Sequence, residues 1–126
     1  MKNERVRLSI PAKAEFLVTA RLVAASVAGK AGFDMEDVED IKTACSEACL
    51  LLIPHTAGTD EMQMEFFLEA DGLYANISAP RSVEQNGDIQ ESEFGGYLLE
   101  ALTDEAEFST EDGRGEYRLF KGYTEK

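Results

Sequence analysis

The stretch CSEACLLLIPH, running from Cys45 to His55, holds three residue types that could do chemistry. Glu47 is a carboxylate that could act as a general base if burial or a neighbouring charge tunes its pKa. Cys45 and Cys49 stand four apart with His55 downstream, and thiols with an imidazole are groups that hold metals or carry redox chemistry. Each has a plainer reading. A glutamate on a helix is usually solvated. Free cysteines are commonly small core residues, and that is the stronger reading of this pair because a third and fourth ligand are not evident. Four residues after Glu47, on the same helical face, stands Leu51, which offers no polar atom.

The elements that must position these groups follow from hydrophobic periodicity. RVRLSI alternates Val6, Leu8 and Ile10 and reads as a strand closed by Pro11. From Ala12 to Ala31, Phe16, Ala20, Val23, Val27 and Ala31 recur at helical spacing, with Gly32 as the C-terminal signal. Asp34 then precedes MEDVEDIKTACSEACLLLI, whose acidic first turn marks a helix start. Its inward stripe is Val38, Ile41, Cys45, Ala48 and Leu52, with Glu47 and Leu51 beside it, and Pro54 should end it. EMQMEFFLEA alternates Met62, Met64, Phe66 and Leu68, and the Asp71-Gly72 turn leads into LYANISA, a hairpin. Pro80 to Glu91 reads as a polar loop. Phe94 to Thr103 reads as a helix through Tyr97, Leu98, Ala101 and Leu102, and EAEFST and EYRLFKG form a second hairpin around EDGRG. This order predicts an α+β two-layer sandwich, a mixed and mostly antiparallel sheet with about three helices on one face, in a single domain over residues 1–126.

Composition narrows the function classes. The chain of 126 residues is 44% hydrophobic, as a globular domain should be, and carries a formal net charge of -13. So acidic a surface repels phosphate backbones, which disfavours direct nucleic-acid binding, and suits a basic partner or simple solubility. No apolar run approaches the roughly 20 residues that span a bilayer. MKNERVRLSIP lacks the apolar core of a signal peptide. Two cysteines without an export signal point to free thiols in a reducing cytoplasm.

EDIKTACSEACLLLIPH, with GFDMEDV before it, resembles the N-box helix of the bacterial anti-sigma-factor serine/threonine kinases. These belong to the GHKL (Bergerat-fold, histidine-kinase-like) ATPase superfamily, and their pattern there is roughly A-x-S-E-A-x-x-N-x-x-x-H. GYLLEALTDEAEF is similar to the family's helix after the lid and the strand entry that follows, and EYRLFK to its closing strand. RLSIPAKAEFLVTARLVAASVAG is similar to its first strand and helix, so the likeness covers nearly the whole chain in the right order. The resemblance implies the Bergerat fold, ATP and Mg²⁺ as cofactors, a sigma factor and an antagonist protein as partners, and homodimerisation through sheet edges or the first strand.

The resemblance also assigns roles, and this sequence departs from several. Glu47 falls on the family's general base, and His55 is retained. The family's Mg²⁺-binding Asn is Leu51 here, and Mg²⁺ requires oxygen ligands. The family's adenine-binding D-x-G-x-G corresponds to Ala79, Arg81 and Val83. The lid carries Glu84, Asp88, Glu91 and Glu93 against Arg81, an acidic balance that opposes a polyphosphate. Gly95 and Gly96 stand at the lid's end, and the family's phosphate-touching Thr falls at about Gly115. The expectation is a degenerate nucleotide pocket at Leu51, His55, Ala79, Arg81, Gly95 and Gly96, with Glu47 as a vestigial general base and no metal. The protein would then regulate by binding a sigma factor, an antagonist, or both. An active ATP-dependent serine kinase is the alternative, and a small-ligand sensor using an apolarised cavity is a third reading.

Overall fold

The computed structural model describes residues 4–83 and 89–123, with the side chains of 89–95 outside the described set. In chain order the elements are β1 (Glu4–Pro11), a 3-10 turn (Ala14–Phe16), α1 (Leu17–Ala31), α2 (Met35–Leu52), a 3-10 turn (Ile53–His55), β2 (Glu61–Leu68), β3 (Gly72–Pro80), α3 (Ile89–Leu102), β4 (Glu105–Glu111) and β5 (Arg114–Gly122). The strands form one sheet in the order β1-β2-β3-β5-β4, and every neighbouring pair is antiparallel rather than mixed.

Local chemistry explains most boundaries. α1 ends at Gly32, whose φ of 99° is open to glycine, and its N–H donates to the Ala28 and Gly29 carbonyls. The Asp34 carboxylate accepts the Asp37 N–H at 2.9 Å and caps α2. α2 stops at Leu52 because Pro54 cannot continue it, and the chain turns through the short 3-10 segment. The second hairpin is tighter than EDGRG implied. Its strands run to Glu111 and from Arg114, leaving only Asp112 and Gly113, with φ of 54° and 75°, as a type I′ turn.

The core lies between the helices and one sheet face. Leu8, Met64, Ile77, Tyr117 and Phe108 form one cross-strand row on that face. Met62, Met64, Phe66 and Leu68 are all buried, as their alternation predicts, in one core cluster with Ile41, Cys45, Ala48 and Leu52 of α2. The opposite face carries polar rows such as Arg7, Glu65, Asn76 and Arg118, and beside them an aromatic row of Phe67, Tyr74 and Phe120. Away from the site, Lys121 bolts the layers together. Its ammonium donates to the Leu102 carbonyl at 3.2 Å and lies 3.6 and 3.7 Å from the Asp37 and Asp40 carboxylates.

Four expectations shift. The helix expected from Ala12 begins as a 3-10 turn at Ala14 and becomes α-helical only at Leu17. On β1 only Ile10 is buried while Val6 is 36% exposed, because β1 is an edge strand and the helices pack on β3 and β5. α3 begins at Ile89, not Phe94, so the expected loop loses its last residues to the helix, while residues 84–88 lie outside the described residues. Among the described side chains of α3 the buried one is Leu99, and Tyr97 is 67% exposed. A short apolar run fits several helical phases, and packing selected this one.

Candidate functional site

Pro54 and the α2 register set the first wall. Glu47 and Leu51 stand half-buried along the α2 edge beside the core stripe, and His55 follows in the 3-10 turn. The floor comes from the sheet, where Ala79 of β3 is fully buried and sits opposite Gly115 of β5. Phe108 and Tyr117 are paired across β4 and β5, with ring centroids 4.6 Å apart. Just beyond β3, the Arg81 N–H donates to the Gly113 carbonyl at 2.7 Å, and its guanidinium lies 5.7 Å above the Phe108 ring. A Cβ added at Gly115 would lie 3.3 Å from the Phe108 ring and 3.4 Å from Arg81 Cδ, so these side chains already fill the space over Gly115.

The electrostatics join both walls. Burial raises the Tyr117 hydroxyl pKa, Arg81 partly opposes this, and the Glu47 charge adds to the rise. Glu47, Arg81 and Tyr117 thus share one electrostatic neighbourhood. Burial lowers the His55 pKa, helped by the Arg81 charge. His55 Nδ1 is buried without a partner among the described residues. Chemically, the cluster offers a carboxylate, a phenol and a guanidinium against an apolar floor. Leu51 and Ala79 present only hydrocarbon where the resemblance places a metal ligand and a base acceptor. Gly95 and Gly96 both lie inside α3, so the lid's end is helical here. The acidic side chains of Glu84, Asp88, Glu91 and Glu93 lie outside the described residues.

Cys45 and Cys49 are core residues on α2. Burial pushes the Cys49 thiol up to about 12, and burial together with Cys49 raises Cys45. Among the described residues no three His, Cys, Asp or Glu side chains group as metal ligands. Neither thiol should react with a disulfide reagent such as dithionitrobenzoate at pH 8 in the folded protein, and both should react at once in denaturant. Rapid native labelling of either would contradict this burial.

Comparison with known proteins bears on what this arrangement descends from. The family described as Histidine kinase-like ATPase domain matches residues 10–121. The chain is 32% identical over 130 residues to the serine-protein kinase RsbW of Bacillus mycoides (strain KBAB4), covering 89% of this chain and 81% of that protein. It is 30% identical over 128 residues to the RsbW of Bacillus cereus (strain AH187), covering 87% and 80%. The chain belongs to the anti-sigma-factor serine kinase family of the histidine-kinase-like ATPases. Its fold also matches the solved RsbU and RsbW domains of Rv1364c from Mycobacterium tuberculosis, with a TM-score of 0.71 at 18% identity. That match covers 94% of this chain and 32% of the other, about a third of its length.

Sequence reasoning set Glu47 and Leu51 together on one face of α2 because they lie one turn apart. It missed Phe108 and Tyr117. Both sit on alternating strands, so fixing the turn at Asp112-Gly113 would have placed them opposite each other. It also missed Asp60 and Ser82, which meet through a 2.7 Å hydrogen bond across 22 residues and carry no local signal.

Proposed function

We propose that this protein is an anti-sigma-factor-like regulator that works by protein–protein binding, with ATP and Mg²⁺ binding lost or weakened. The carrying observation is the site's filling. Leu51 supplies no oxygen for Mg²⁺, Ala79 is buried in the core, and Arg81 and Phe108 occupy the space over Gly115. Glu47 keeps the position of the general base without a metal-held phosphate to act upon. The partner class is a sigma factor, an antagonist protein, or both, a reading supported by relatives named as serine-protein kinases. An available docking face supports it too. Val18 and Leu22 are 60% and 66% exposed on successive turns of α1, a helix with no acidic residue in a chain of net charge -13. Free buried thiols fit action in the cytoplasm. Among the described residues no helix is long and apolar enough to cross a membrane.

Thermal unfolding with millimolar Mg-ATP or Mg-ADP tests the reading. A ligand at a hundredfold excess over its Kd adds about 2.7 kcal/mol to the native state, enough to raise Tm by several degrees. The expected result is no shift, together with recovery of a sigma factor or antagonist when the tagged protein is purified from its own cells. A clear rise in Tm would favour the other reading, an active serine kinase, which the retained Glu47 supports. Phosphate transfer would then depend on Glu47 and disappear in Glu47→Gln.

A further inference from the structure

Arg81, Ser82 and Val83 follow β3 and cross toward the end of α2, held from three directions. The Arg81 N–H donates to the Gly113 carbonyl at 2.7 Å, and the Val83 N–H to the His55 carbonyl at 2.9 Å. The Ser82 hydroxyl donates to Asp60 Oδ2 at 2.7 Å. Asp60 is itself anchored independently of Ser82. The same carboxylate accepts the Ala57 N–H at 2.7 Å, its own N–H donates to the Ala57 carbonyl at 3.0 Å, and its carbonyl accepts the Ala12 N–H at 3.0 Å.

We propose that Arg81–Val83 is a latch keyed by Asp60, closing the Phe108–Tyr117 shelf, and that its release opens this site. The inference goes beyond the reading above, since the latch would operate whether or not nucleotide binds. Its physical basis is the kind of contact involved. Ser82 and Val83 are exposed, so polar bonds rather than apolar burial hold the segment. Opening therefore breaks a few hydrogen bonds and uncovers little hydrophobic surface, which places it well below global unfolding. When the segment lifts, the Arg81 guanidinium leaves the Phe108 ring and its stem vacates its share of the space over Gly115, where the Phe108 ring remains. Hydrogen bonds to the Asp60 carboxylate also hold its pKa below the usual range, with Ala57 first and Ser82 second among the causes.

Trypsin reads this motion directly, because the Arg81–Ser82 bond can be cut only when the segment is open. Time-resolved mass spectrometry of native digests would compare the wild type with Ser82→Ala, Ser82→Thr and Asp60→Ala. Losing one charge-assisted hydrogen bond should raise cleavage at Arg81–Ser82 about tenfold in Ser82→Ala. Asp60→Ala should raise it at least as much, while Ser82→Thr, which keeps the hydroxyl, should stay near the wild-type rate. Cleavage at the other Lys and Arg bonds should not change. The latch is overturned if Ser82→Ala is cut at the wild-type rate, if Ser82→Thr is cut as fast as Ser82→Ala, or if all sites accelerate together. Should Asp60→Ala fail to fold, the two Ser82 variants decide the matter by themselves.

Discussion

Gly72→Ala is expected to destabilise the fold by about 3–5 kcal/mol, combining backbone strain with overpacking. Gly72 opens β3 with a φ of 155°, a conformation that residues with a Cβ rarely adopt. It sits opposite Gly122 of β5, where the two backbones come unusually close. A Cβ at this position would collide with the Lys121 carbonyl oxygen and lie 2.8 Å from the Gly122 Cα, both backbone atoms that no rotamer change can move. Relief would require β3 and β5 to separate at the end of their ladder, beside the Lys121 bolt to α2 and α3. Urea denaturation of the wild type and the variant would measure the loss. A difference under about 1 kcal/mol would mean that the β3–β5 approach is looser than described.

Ala79→Asp, which would restore the aspartate that the motif resemblance implies there, should cost about 3 kcal/mol at pH 7. Ala79 is fully buried, flanked by Gly115 across the sheet, so a carboxylate would enter a hydrocarbon environment. Arg81 could neutralise it only by leaving Phe108 and disturbing the latch. Burial would raise the folded-state pKa of the new carboxyl above its unfolded value of about 3.9. The ionisation penalty is therefore absent below that pH, grows as pH rises toward the folded-state pKa, and is complete above it. Stability curves at pH 4 and pH 7 should separate for the variant more than for the wild type. An aspartate tolerated with little loss at pH 7 would reveal a hydrated polar space beside residue 79, and the reading of a filled nucleotide pocket would fail.

How much of this was readable in advance depends on the range of each interaction. The start and end of α2 were readable because Asp34 caps within three residues and Pro54 blocks the next turn, both local effects. The β2–β3 hairpin was readable because alternation and the Asp71-Gly72 turn agree. The phase of α3 was not, since Leu99 rather than Tyr97 is buried only through packing against the rest of the protein.

The candidate site divides in the same way. By itself the sequence determined the fold class and one helical edge carrying Glu47 and Leu51, with His55 just beyond it, because these rest on periodicity and on neighbours in the chain, and its motifs carried the resemblance to the family. Only the tertiary structure decided that Arg81 lies over Phe108, that Phe108 packs tilted against Tyr117, and that Ser82 reaches Asp60. The strand order β3-β5-β4 brings β3, with Arg81 just beyond its end, and the last hairpin side by side, although α3 separates them in the chain. Such contacts depend on how strands are paired and layered, which no local pattern encodes, and they determine whether the old pocket is open or filled.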